Sequence, residues 1–423
     1  MRASSCTSAS EELPAEPLAL RRYVLVCGLT LGAMLLAVAG FLFAVDPEGD
    51  HEAWSVKELH AFRDLGNRRG RSHLLLERRW DSAVIGTSRV SLAFDTEQDR
   101  AELGVAANVG LMDTNLWELV RVAEFAVDRA KVATIVLCID LHCLAAARTS
   151  NADFVRSDFA APELQDDDFE VTCSDLLSFH ELGRAYDCVE RWSEGRPRFG
   201  SHGVDLRKLP PGHRYREDTA DHLIRVYLTN PGTFLGFEYS AERLAELDRF
   251  VVHAQQAGSR VVLAIPPMHA LQFECIAQVG LWSDLIRMKR DLTQLAAAHS
   301  LPLVDFAWHH QYALEPMPED GSGATMQWWI DCSHGTHALG RLILDRIEAI
   351  LAGAAVGDAR FGRPLTPETL DAQLRLSEAS RDRWRAANPN EVEWIDRLLH
   401  GESLRRALPP GGMQPGRREP PSR

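Results

Sequence analysis

The sequence predicts an α/β protein, a doubly wound parallel sheet of about five strands standing behind one N-terminal transmembrane helix. Three observations predict it. Short apolar runs alternate with amphipathic stretches, a 23-residue segment carries no charge at all, and the polar residues able to do chemistry fall just after the apolar runs. Strands that are continuously apolar rather than alternating belong to a parallel sheet covered on both faces. Ligands of such sheets bind beyond the carboxyl ends of the strands.

The uncharged segment runs from Tyr23 to Val45 (YVLVCGLTLGAMLLAVAGFLFAV). As a helix it would span roughly 35 Å, enough to cross a bilayer. Residues 1–22 read as a cytoplasmic tail ending in Arg21 and Arg22, while Asp46, Glu48, Asp50 and Glu52 follow the segment. The positive-inside rule therefore keeps the N-terminus inside and sends the bulk of the chain outward. Ala37-Val38-Ala39 resembles a signal-peptidase site, but the apolar run continues past it. A run this long fits an uncleaved anchor better than a cleaved signal or a buried soluble helix.

Residues 46–80 are charged and read as a helical stalk. The α/β domain is expected over 81–356. SAVIG (82–86) suits a buried strand and GVAAN (104–108) a weaker one. Asn115–Arg129 places Leu116, Leu119, Val120, Ala123 and Ala126 on one stripe of a helix. TIVLCI (134–139) is the next strand. Residues 145–235 break the rhythm with Asp166-Asp167-Asp168, a helix near 174–190 and a Pro/Gly/Arg-rich passage. This insertion reads as a lid or substrate-binding cap, or as an irregular loop. Regularity returns with the N-cap Ser240 before a helix that stops at Gly258. VVLAI (261–265), a helix over 282–298 and LPLVDF (301–306) complete the alternation. Residues 357–407 read as a peripheral helical region, and 408–423 as a low-complexity tail.

With 423 residues and a net charge of −14, the chain lacks the basic face a nucleic-acid partner requires. Its eight cysteines show no CxxC or Cys/His zinc spacing, so neither a metal nor another cofactor is expected. Outside the cytoplasm disulfides are permitted, and Cys173 with Cys188 is a candidate pair.

Two motifs carry the chemistry. Gly86-Thr87-Ser88 ends the first strand, and Asp331-Cys332-Ser333-His334 opens a helix before the apolar Leu339–Leu344. Serine is a weak nucleophile until a histidine takes its proton, and that histidine needs a carboxylate to fix its tautomer. Taken alone, Ser88 suits an N-cap at a strand-to-helix turn, Asp331 a helix cap and His334 a first-turn residue. Together they spell a triad. Asp140-x-His142 is a second carboxylate–imidazole pair, whose members would share one face if the strand continued through them. Asp331, His334 and His337 also read as a possible metal set. His269, after Pro266-Pro267, is placed at a pocket rim or in a solvated loop.

A strand followed by Gly-Thr-Ser, an Asp-x-x-His before the last core helix, and α/β alternation between them resemble the SGNH/GDSL hydrolase superfamily. The layout is similar to membrane-anchored envelope members associated with acyl transfer to extracellular polysaccharide, over roughly residues 80–350. The resemblance implies a flavodoxin-like sheet, with Ser88 as nucleophile, His334 as general base and Asp331 as its orienting carboxylate. It implies a serine esterase or O-acyltransferase acting on acylated envelope carbohydrate, in the inner membrane of a bacterium with the catalytic domain periplasmic or extracellular. A membrane-bound acyl-transfer partner would work beside it. The two oxyanion blocks depart from the family pattern. Asp113 holds the usual glycine position in AANVGLMDT, and Asp140 the usual asparagine position in VLCIDLHC. An ionised Asp cannot donate a hydrogen bond, and losing one oxyanion donor costs about a hundredfold or more in rate. A degenerate relative that binds polysaccharide or scaffolds an envelope assembly is therefore the competing expectation.

Overall fold

A computed structural model describes residues 17–50, 54–160, 175–230, 232–353 and 361–408. The acidic run 166–168, Cys173 of the expected disulfide and residues 409–423 of the expected tail lie outside them. Cys188 is buried, with its thiol directed at the Leu59 carbonyl.

Strands β1 (Ser82–Gly86), β2 (Ala106–Gly110), β3 (Thr134–Cys138), β4 (Arg260–Ile265) and β5 (Leu303–Asp305) are mutually parallel in the order 2-1-3-4-5. That is the doubly wound order with its switch point between β1 and β3. A sixth strand, β6 (Arg363–Pro364), pairs antiparallel with β5 at the edge. Pro364 has no N–H to donate, so its place is an edge strand. Every residue of β1, β2 and β3 is buried, as the uninterrupted apolar runs require of a sheet covered on both faces.

Three expectations are corrected. Residues 46–80 do not form a free stalk. Helix α2 (Arg68–Glu77) is capped by Asn67 and lies against the sheet. Arg68 donates to Glu118 at 2.6 Å, and Arg71 donates to the Asn108 and Gly203 carbonyls, both at 2.6 Å. These guanidinium partners bury what reads in sequence as a solvated charged segment. Nor is 357–407 merely peripheral. Leu370, Leu374 and Trp384 from the Pro367–Ala387 helix and Ile395 from the Pro389–His400 helix join the main core. The helix of the insertion begins at Phe179 and ends at Glu194, later than predicted.

Among the described residues one helix, α1 (Pro17–Val45), is long and apolar enough to cross a membrane over Leu20–Val45. Its last turn meets the domain directly. Leu42 and Val45 pack with Leu59, Ala185 and Cys188 in a small core of their own. The Val56 N–H donates to the Ala44 carbonyl at 2.8 Å.

Candidate active site

The Gly-Thr-Ser turn joins β1 to the short helix α3 (Ser88–Ala93). Thr87 is the N-cap, and its Oγ accepts from the Arg89 N–H at 3.3 Å. Ser88 is the first helical residue, where an N–H has no acceptor within the helix. Glycine is required at two places here. A Cβ on Gly86 would sit 2.5 Å from Val90 Cγ2, and one on Gly110 would sit 2.1 Å from the Ser91 nitrogen. These two contacts let α3 lie directly on β1 and β2, which fixes the height of Ser88 above the sheet.

The Asp-x-x-His motif lies on a loop, and the following helix starts only at His337. Trp329 and Gly335 form an antiparallel bridge, and the Ile330 N–H donates to the His334 carbonyl at 2.8 Å. Asp331 therefore caps no helix. Its Oδ1 accepts from the Ser333 and His334 N–H groups at 2.6 and 2.9 Å, closing a tight turn. That turn aims the other carboxylate oxygen at His334 Nδ1, 2.7 Å away, while His334 Nε2 lies 2.8 Å from Ser88 Oγ. Burial favours the neutral acid, but the His334 ring and then the turn N–H groups outweigh it. They hold the Asp331 carboxyl well below the usual carboxylate range.

The remaining predicted residues fall differently. His142 lines the same cavity, and burial drives its pKa well below the ordinary imidazole value, so it is neutral. It lies beyond the end of β3, on a short 3₁₀ turn (Leu141–Leu144). Asp140 is not its partner. The Asp140 carboxylate takes the Arg89 guanidinium at 2.7 Å on one oxygen and the Thr87 hydroxyl at 2.6 Å on the other. Asp113 lines the cavity with φ +50°, and its carboxylate is drawn aside by Arg148. His269 is not at a rim. It is buried as the N-cap of the Ala270–Gln278 helix, with Nε2 2.7 Å from the Glu315 carbonyl. His337 engages the Asp205 carbonyl at 3.0 Å and stands apart from Asp331 and His334.

Two residues escaped the sequence reading. Arg89, next to the serine, is buried and reaches Asp140, Gln272 Oε1 (2.6 Å), Tyr227 Oη (3.5 Å) and Ser333 Oγ (3.3 Å). Tyr227 Oη is in turn 2.8 Å from Ser333 Oγ. One side chain thus ties the serine turn to the end of β3 and to the Asp-x-x-His loop. Burial opposes its charge, but Asp140 outweighs it and raises the guanidinium pKa. The second residue is His222, whose ring lies 4.8 Å from the His334 ring. Burial pushes its pKa down to about 4, and its Nε2 is buried with no hydrogen-bond partner among the described residues. Nothing marked either one, since an isolated Arg or His in a polar stretch carries no spacing signal.

Among the described residues, two groups of side chains bring possible metal donors within 4.8 Å of one another: His222, Asp331 and His334; and Asp140, His142 and Cys143. In the first, both Asp331 oxygens and both His334 nitrogens are already hydrogen-bonded, and in the second so are both Asp140 oxygens. The arrangement suits proton relay better than coordination.

The cavity above Ser88 measures about 770 Å³. One wall comes from the sheet side, with Ser88, Met112 and His142. The other comes from the insertion, with Lys208, His213 and Asn230 among its residues. The insertion also touches the Asp-x-x-His loop, where the Cys332 N–H donates to Thr219 Oγ at 3.2 Å. The Tyr215–His222 helix widens into a π turn over Leu223–Leu228, a deviation often found at functional sites.

No family model and no curated protein sequence matches the chain. Among solved structures it is similar to a mutant of Axe2, an acetyl-xylooligosaccharide esterase from Geobacillus Stearmophilus. The identity is 14% and the TM-score 0.30, over 65% of this chain and 94% of that one. A likeness that slight carries no argument about this chain.

Proposed function

We propose that the protein is a serine esterase or O-acyltransferase of SGNH type, anchored in the bacterial inner membrane and acting on acylated envelope carbohydrate outside it. The observation that carries the chemistry is the hydrogen-bonded series Ser88 Oγ, His334 and Asp331, at 2.8 and 2.7 Å. Ser88 Oγ attacks the acyl carbonyl while His334 Nε2 takes its proton, and ionised Asp331 holds the ring and balances the imidazolium. His334 returns the proton to the departing alkoxide, leaving an acyl-Ser88. Water or an acceptor hydroxyl then gives its proton to the same nitrogen and attacks the acyl carbon, and His334 returns that proton to Ser88 Oγ as the acyl–oxygen bond breaks. The Ser88 N–H, at the start of α3, is a donor for the developing oxyanion. The carbohydrate substrate and the location rest on the sequence resemblance and on the apolar α1.

The competing reading is a binding or scaffolding protein. It is favoured by Asp140, which accepts hydrogen bonds where the resemblance implies a donor. One experiment separates the two. The full-length protein in nanodiscs is treated with a fluorophosphonate, and the adduct is located by mass spectrometry. An adduct on Ser88 that is lost in both Ser88→Ala and His334→Ala establishes the activated serine. A folded protein that takes no label is a binder.

A further inference from the structure

We infer that the extramembrane domain docks on the lipid bilayer through the face beside α1, in addition to being tethered by it. The inference rests on α1 crossing the membrane, as proposed above. The uncharged Tyr23–Val45 segment is about 35 Å long, against a hydrocarbon core of roughly 30 Å, so its last turn reaches the interfacial zone. There the Phe179–Glu194 helix packs alongside. Leu182 and Val189 lie on the small core that holds Leu42 and Val45, and Val38, two turns earlier in α1, touches the same core. The domain therefore extends down beside the end of the membrane helix.

What it exposes there includes large apolar and aromatic side chains, with the charged Asp187 and Glu190 on the same helix. Phe179 is 91% exposed, Tyr186 63% and Leu177 55%. Phe179 and Tyr186 lie two turns apart, on the same side of the helix and next to the Leu182 and Val189 that face the small core. Trp54, 80% exposed, is held two residues from the Val56–Ala44 hydrogen bond, level with the last turn of α1. Large rings with one polar edge gather at membrane–water interfaces. Three of the acidic residues that follow α1 are neutralised by arginines. Asp46 and Glu48 are buried and paired with Arg63 and Arg184, and Asp50 is paired with Arg69. The bilayer into which α1 inserts is thus the occupant that this face fits.

The test uses full-length protein in phosphatidylglycerol/phosphatidylethanolamine nanodiscs. Benzoylphenylalanine replaces, one at a time, Trp54, Phe179, Tyr186, Leu31 of α1, and the exposed Leu376 on the Pro367–Ala387 helix. All five side chains are exposed, so the fold tolerates the change. After illumination, lipid adducts are measured by mass spectrometry. Docking requires adducts at positions 31, 54, 179 and 186, with at least tenfold less at 376. An adduct at 31 without adducts at 179 and 186 overturns the docking while leaving the anchor intact. No adduct at 31 removes the membrane reading itself, and the docking with it.

Discussion

Replacing Asp140 with Asn separates two accounts of this site, because they predict opposite signs. If Asp140 is a lapsed oxyanion residue, Asp140→Asn restores a donor and should raise kcat by about a hundredfold or more. The structure gives it another task. Its carboxylate is buried, pairs with the equally buried Arg89 at 2.7 Å and accepts the Thr87 hydroxyl at 2.6 Å. The neutral side chain leaves the guanidinium with neutral partners only: Gln272, Tyr227, Ser333 and the Pro267 carbonyl. Removing one partner of a buried pair costs about 3–5 kcal/mol. Since Asn keeps one carbonyl acceptor, about 2–4 kcal/mol is expected. At roughly 2–4 °C per kcal/mol, the melting temperature in detergent should fall by about 4–16 °C. Turnover should fall too, because Arg89 holds the Ser88 turn against the His334 loop, and a displacement of about 1 Å costs on the order of a hundredfold. The assays are thermal unfolding and p-nitrophenyl acetate hydrolysis, on Asp140→Asn, Arg89→Met and the double variant. The two single effects should be sub-additive, with a coupling of about 1–3 kcal/mol. An Asp140→Asn protein that is as stable as the parent and hydrolyses faster would refute the brace.

Other consequences are open to measurement. Gly110→Ala places a Cβ 2.1 Å from the Ser91 backbone nitrogen, so α3 must lift. About 1–3 kcal/mol of stability should be lost in urea unfolding, with a larger proportional loss of turnover as Ser88 leaves His334. Acid should unfold the protein early. Burial depresses His269 to about 4 and His309 and His310 to about 3, while the unfolded chain titrates near 6.5. The unfolded state thus takes up protons first, so stability is full above pH 6.5 and is lost as pH falls from there toward 4. At pH 5 each ring should cost about 2 kcal/mol, read as a fall in the urea midpoint between pH 7 and 5. Replacing all three by Phe or Gln should reduce that slope, leaving the share of the buried His142 and His222.

How far the sequence revealed the molecule varies from element to element. Strands β1, β3 and β4 were legible to within a residue, because a strand buried on both faces must be apolar throughout. The second strand begins two residues later than expected: Gly104 adopts φ +57° and turns the chain before pairing starts. The two-residue β6 is too short to have a period. Arg68 and Arg71 misled by their charge, since partners on remote segments decide whether an arginine is buried. The same holds at the site. Ser88, Asp331 and His334 could be grouped from the resemblance alone, and the structure brings their side chains within hydrogen-bond distance. The roles of Asp140, Arg89 and His222 are set by contacts across 50 to 240 residues, which no local pattern records.

The junction after α1 also determines how the protein reaches what it works on. A flexible linker of n residues lets a tethered domain wander by about 5–6 Å times the square root of n, so it samples a hemisphere of targets. Here the chain offers no such slack: Val45 is packed in the junction core, and Val56 is bonded back to Ala44. The mouth of the cavity keeps one altitude and one bearing relative to the α1 axis. Under the proposed function, acceptors within that thin layer would meet Ser88 repeatedly, while those above it would have to be carried down to it.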